Sequence, residues 1–179
     1  MHICCGPCGT HVFEVLREQF QLTGYLYNPN IHPEDEYRRR VAEARRWAEE
    51  VGLPLIEGPY EPEAWLQLTE GMADEPEGGE RCALCFRMRL EATAEAARRE
   101  GFAHFATTLT VGPTKRAEVV NRIGREIAEC HGLLFFEADF KKRGGFQHSL
   151  ELSRAFALYR QDYCGCIYSL RARRARGDT

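Results

Sequence analysis

At 179 residues the chain is long enough to bury one ordinary core without covalent staples, so its eight cysteines are not required for stability. A formal net charge of -3 excludes a protein that coats nucleic acid non-specifically, while leaving room for a local basic face. No apolar run approaches the length of a membrane span and no charged, apolar, small-residue leader opens the chain, which predicts a cytoplasmic setting with neither span nor signal peptide. In that reducing setting, clustered thiols read as metal ligands or redox groups.

The chain opens with MHICCGPCGT. Met1 to Cys5 reads as a very short first strand, after which Val12, Val15, Leu16 and Phe20 recur at helical spacing. That helix begins inside or just after Gly6-Pro7-Cys8-Gly9, where Pro7 suits a first turn because its missing N–H has no helical partner there. The free amides at this end would face Cys4, Cys5 and Cys8 and favour their thiolates. Leu22 to Tyr27 reads as a second strand, ended by Asn28-Pro29-Asn30. Glu34, Asp35 and Glu36 open a second helix whose apolar face is Tyr37, Val41, Ala44, Ala48 and Val51, and Gly52 and Pro54 stop it. Leu53 to Ile56 reads as a third strand, 62–69 as a short helix carrying Trp65, and 71–81 as an acidic, glycine-rich loop.

The next helix starts at or just before Cys82 and sets Cys82, Cys85, Phe86, Leu90, Ala94 and Ala97 on one face. Phe102 to Leu109 reads as a fourth strand with Thr107, Thr108 and Thr110 at its carboxyl end. A helix over 115–131 turns Val119 or Val120, Ile123, Ile127 and Cys130 inward, the cysteine as a small buried hydrophobe. Leu133 to Glu137 reads as a fifth strand, running into Asp139, Lys141 and Lys142. Five strand–helix alternations predict one α/β domain over 1–179: a five-stranded, mainly parallel, Rossmann-like sheet with helices on both faces. Ligands of such sheets sit beyond the carboxyl ends of the strands, where the cysteine loop, the threonines and Asp139 all fall. Residues 170–179 read as a basic, frayed tail. Its arginines (Arg171, Arg173, Arg174 and Arg176), the runs Arg38 to Arg40 and Arg45 to Arg46, and Lys141 to Arg143 are either solvated faces or phosphate contacts.

Seven of the eight thiols fall into three groups: Cys4, Cys5 and Cys8; Cys82 and Cys85; Cys164 and Cys166. Adjacent Cys4 and Cys5 are expected to leave an extended backbone in opposite directions, which suits two irons of one cubane better than one tetrahedral zinc. Adding Cys82 and Cys85 makes four thiolates, the usual complement of a [4Fe–4S] cluster. A disulfide across the single glycine of Cys164-Gly165-Cys166 would close a strained, easily reduced ring, as suits an electron relay. The other reading makes these two thiols ligands of a second metal, with Cys8 and a carboxylate such as Asp139 or Asp162. His2, His11 and His32 have no ligand spacing and read as structural or surface groups, and no glycine pattern supports an ATP or dinucleotide site.

Five longer stretches are more specific: HICCGPCG at the start, YNPNIHPEDEY at 27–37, DEPEGGERCALC at 74–85, ADFKKRGGF at 138–146 and YRQDYCGCIYS at 159–169. Through them, in order and over essentially its whole length, the chain resembles the cobalamin-independent epoxyqueuosine reductase (QueH) family. The resemblance implies an adenine-nucleotide-hydrolase-like (HUP) fold and reduction of the epoxide of epoxyqueuosine at the tRNA wobble position to give queuosine. It also implies a [4Fe–4S] cluster, carried onto Cys4, Cys5, Cys82 and Cys85, and a redox-active pair, carried onto Cys164 and Cys166. An adjacent mononuclear iron is the further expected cofactor, and a low-potential ferredoxin or flavodoxin the expected electron donor. Cys8 and Asp139 complete the expected catalytic set. Asp139, Tyr168 and Lys141 are the candidate proton donors, and Tyr37, Arg38 and Arg39, with Lys141 and Tyr168, the expected substrate contacts. The rival readings are a zinc-stabilised RNA-binding module and a thiol–disulfide oxidoreductase using Cys5 and Cys8.

Overall fold

A computed structural model of the chain describes residues 1–175 and 177, so Arg176 of the basic tail lies outside the described residues. Its elements run α1 (Gly6–Arg17), β1 (Gly24–Leu26), α2 (Glu34–Val51), β2 (Leu55–Glu57), α3 (Pro62–Leu68), α4 (Glu80–Arg99), β3 (His104–Phe105), a 3₁₀ turn (Leu109–Val111), α5 (Ala117–His131), β4 (Leu134–Phe135), α6 (Gly145–Ala155) and α7 (Ile167–Ala175). Helices dominate. The helix starts and stops follow the expected chemistry: Pro7 lies in the first turn of α1, three acids open α2, and Gly52 and Gly132 end α2 and α5 in left-handed conformation. No helix among the described residues is long and apolar enough to cross a membrane.

The expected five-stranded Rossmann-like sheet is not formed. Two separate parallel pairs stand in its place, β1 with β2 over three residues and β3 with β4 over two. Residues 1–5, read as the first strand, contribute only single-residue bridges from His2 to Tyr25 and to Thr107. Side chains take over the backbone groups that longer ladders would use. The Asn28 amide donates to the Ile3 carbonyl at 3.0 Å, and the Cys4 N–H donates to the Thr108 hydroxyl at 3.1 Å. On the far side β2 is bounded by Pro54 and by Gly58-Pro59, and proline cannot donate to a ladder.

The core has two main regions. Phe86, Leu90 and Ala94 of α4 meet Val120, Ile123 and Ile127 of α5 and Phe105 of β3, while Phe13 of α1 meets Val41, Ala44 and Trp47 of α2 with Ile3 and Leu26. A third cluster, with Val12, Leu16, Ala106, Val111 and Phe140, ties α1 to the segments after β3 and β4. Cys130 is exposed, against expectation, because the inward stripe of α5 ends at Ile127 and Ala128 and the final turn runs past the core.

Gly124 is the close-approach point of α5. A Cβ there would come within 2.5 Å of the Phe135 ring. Alanine gains about 1 kcal/mol of helix propensity, but overpacking a filled core costs about 1–3 kcal/mol, so the clash wins. Gly124→Ala is therefore expected to lower the urea midpoint without changing its slope, and a raised midpoint would contradict this packing.

Candidate thiol and metal centre

The N-terminal thiols are brought together by the turn from residues 1–3 into α1. Cys5 is the extended residue before the helix (φ -170°, ψ 159°), and the chain then folds back, so that the Gly9 N–H donates to the Cys5 carbonyl at 3.2 Å. The sulfurs of Cys4 and Cys5 are 3.8 Å apart, and the ligand atoms of Cys4, Cys5 and Cys8 all lie within 4.8 Å of one another. The expected divergence of the adjacent cysteines is thereby corrected: it assumes that extended backbone continues past Cys5, and the chain turns helical at once.

Hydrogen bonds from Cys5 and Cys8 hold the Cys4 thiol well below its ordinary range, against burial and with help from Arg89 and Lys115. The same hydrogen bonding to a Cys4 anion pushes Cys5 up to about 11 and raises Cys8. The Thr108 hydroxyl donates to the Cys4 sulfur at 3.3 Å and the Gln161 amide to the Cys5 sulfur at 3.0 Å. His2, fully buried under this turn, lies between Thr107 Oγ1 (3.0 Å) and the Tyr27 carbonyl (3.3 Å). Burial, reinforced by the Arg89 charge, lowers its pKa to about 3, so it is a neutral structural group, as its spacing suggests.

Cys82 and Cys85 project from the first turns of α4, and burial raises both. With Trp65, Phe86, Cys164 and Cys166 they border a small cavity. A larger cleft of about 310 Å³ beside it is bordered by Cys4, Cys8, Arg89, Arg160, Gln161 and Cys164. The two share a wall of Glu77, Thr114, Lys115 and Cys164. Hydrogen bonding from Cys166 lowers Cys164 to about 5, with support from the Lys115 cation, and the paired Cys166 is raised in return. Burial opposes the charge of Lys115, but the Cys164 and Cys4 thiolates outweigh it and raise its pKa. All eight cysteines are free thiols.

Other expected site residues lie elsewhere. Asp139 is half-buried and paired with Lys141 (3.7 Å) and Lys142 (3.5 Å), outside the cleft lining, and Lys141 also donates to the Lys115 carbonyl at 2.6 Å. Tyr168 packs against Trp65, beneath the Arg81 guanidinium, and donates to the Thr69 carbonyl at 3.2 Å. Tyr37 stacks on Tyr60, Arg38 pairs with Glu34 on the exposed side of α2, and Arg39 lies over the Tyr159 ring. Asp162 is at the cleft rim, paired with Arg173 of α7 at 2.8 Å. Arg40, in the cleft wall, belongs to the Arg38 to Arg40 run expected on a solvated face or on phosphate, whereas Lys115 and Arg89, also in that wall, are not marked as site residues by their spacing. The only sequence signal for them is a cation at a core-facing helical position or beside Gly112-Pro113.

Three sulfurs within 4.8 Å of one another, with the Arg89 and Lys115 cations in the adjoining cleft wall, can hold a metal ion. Comparison with known proteins agrees on the kind of enzyme. The family model described as epoxyqueuosine reductase QueH matches residues 1–172. The protein of that name from Haemophilus influenzae is 40% identical over 173 residues, covering 96% of this chain and 71% of that protein. Its namesake from Thermotoga maritima is 37% identical over 180 residues, covering 98% and 92%, and that from Streptococcus pyogenes is 37% identical over 175 residues, covering 94% and 69%. With Cys4, Cys8 and Cys164 on one cleft, Cys82, Cys85 and Cys166 on the cavity beside it, and residues 1–172 matched, the chain belongs to the epoxyqueuosine reductase QueH family of oxidoreductases.

Proposed function

We propose that this protein reduces the epoxide of epoxyqueuosine in tRNA to the alkene of queuosine, using a [4Fe–4S] cluster held by Cys4, Cys5, Cys82 and Cys85. The observation that carries this reading is the shared wall: six thiols (Cys4, Cys8, Cys82, Cys85, Cys164 and Cys166) border two adjoining cavities that have Cys164 and Lys115 in common, and Cys5 lies beside Cys4 and Cys8. The reaction consumes two electrons and two protons and releases the oxygen as water. When bound, such a cluster supplies electrons singly and iron supplies a Lewis acid for the oxygen. The chain's own groups do the remainder. Arg89 and Lys115 offset the thiolate charge, and Lys115 offers an N–H donor to a substrate oxygen in the cleft. Cys164 and Cys166 serve as a redox pair or, with Cys8, as ligands of an adjacent iron. The modified base enters the cleft splayed from its loop, with Arg160 at the rim and Arg38 and Arg39 on α2 meeting phosphates. A low-potential ferredoxin or flavodoxin is the proposed donor.

A second reading has its own support. A tetrahedral zinc with Zn–S near 2.3 Å separates its sulfurs by about 3.8 Å, which is the Cys4–Cys5 spacing. Zinc alone at this turn would make the chain a binding module. The test is conversion: anaerobically purified protein with a low-potential reductant should turn epoxyqueuosine tRNA into queuosine tRNA, read by nucleoside mass. Failure under those conditions with fully metallated protein would overturn the reductase reading.

A further inference from the structure

Arg40 stands in an arginine run that reads as an RNA grip, yet its side chain is 4% exposed. It is held at its Nε by Glu36 (2.7 Å), itself only 10% exposed, and Glu36 also accepts from Tyr159 (2.9 Å). The two remaining nitrogens of Arg40 donate to the carbonyls of Cys164 (3.1 Å) and Tyr163 (3.3 Å). The next carbonyl, that of Gly165, accepts from the His32 N–H at 2.8 Å. On the other side Ser169 accepts from the Cys164 N–H (3.2 Å), and its own N–H donates to the Cys166 sulfur (3.3 Å). Gly165 itself is at φ +119°, and a Cβ there would meet Arg40 Nη1 at 2.9 Å and Ile31 at 3.1 Å. The glycine and the guanidinium thus fit each other: the loop conformation needs a residue without a side chain, and the space so freed is occupied by Arg40.

We propose that Arg40 is the positioning residue of the Cys164-Gly165-Cys166 loop, holding Cys164 at the wall between the two thiol cavities through a fork that spans two consecutive carbonyls. Lysine cannot replace that fork, because its single ammonium cannot reach both carbonyls and the Glu36 carboxylate in one plane. The proposal rests on the reading that Cys164 takes part in the reduction, and it adds that α2 sets where Cys164 stands.

The test uses the anaerobically purified full chain carrying Arg40→Lys, which keeps a cation beside Glu36 and hence the fold, and Arg40→Met. Iodoacetamide labelling of Cys164 and Cys166 is timed by peptide mass, with exposed Cys130 as internal reference, alongside turnover and tRNA affinity. Expected are labelling rates at Cys164 or Cys166 shifted at least about tenfold relative to Cys130, turnover lowered at least about tenfold, and tRNA affinity within about twofold of the parent, with Arg40→Lys between parent and Arg40→Met. Unchanged labelling and turnover in folded Arg40→Lys and Arg40→Met would overturn the clamp. Lost tRNA affinity with unchanged labelling would also overturn it and make Arg40 an RNA contact. Should Cys164→Ser keep full turnover, the redox reading fails, while the labelling arm still reports on the clamp by itself.

Discussion

Cys4→Ala is expected to abolish turnover, by at least about a hundredfold, and to remove bound metal while leaving the chain folded. Among the three N-terminal thiols Cys4 is the one whose pKa is held low, by hydrogen bonds from Cys5 and Cys8, which are raised in return. Its backbone N–H and its sulfur are both engaged by Thr108. Changing the outer partners of a metal ligand alone typically costs about 10–100-fold, so losing the best-ionised ligand should cost at least the upper end. The substitution removes a half-buried sulfur at the edge of the Phe86–Leu90 cluster, so the fold should tolerate it. Metal content, turnover and circular dichroism on one preparation check this together. Near-parental activity would move the reaction away from this turn.

Trp47→Ala is expected to be the most damaging single change to stability. The indole is fully buried, edge-on to Phe13 of α1 at 5.7 Å, and its ring fills the space above Gly9, where a Cβ would lie 2.7 Å from it. Truncating a buried tryptophan costs about 3–5 kcal/mol, a large share of the about 5–15 kcal/mol that holds a domain together. The loss falls on the seam between α1 and α2, so the helix that presents Cys5 and Cys8 loses its support before the α4–α5 half does. Urea denaturation should show a greatly lowered midpoint. A shift below about 1 kcal/mol would mean that the seam repacks and that α1 is held chiefly by α6.

How far the sequence reveals this molecule depends on the kind of signal. The thiol spacings and their helix starts are local, and they are where the chain suggests: Cys8 inside the first turn of α1, Cys82 and Cys85 in the first turns of α4. The threonines after Phe105 reach the cysteine turn because one short connection carries them there. The sheet misleads for a physical reason. The segment Met1 to Cys5 has the composition of a strand, but side chains distant in sequence, Asn28 on the Ile3 carbonyl and Thr108 on the Cys4 N–H, take backbone groups that a longer ladder would use. Arg40 is hidden by composition, since a charged run suggests a wet face, although it lies four residues before Ala44 and seven before Trp47 on the buried stripe. Lys115 is marked in the sequence only as a cation beside Gly112-Pro113, because its significance comes from the fold bringing distant thiol segments around it.

The central claim, that these thiols hold an iron–sulfur cluster, is tested most directly by metal and acid-labile sulfide analysis of the anaerobically purified chain with its visible absorbance. About four irons and four sulfides per chain at the ligand set, with broad visible absorbance, are expected. Colourless protein carrying zinc and no sulfide would contradict the account.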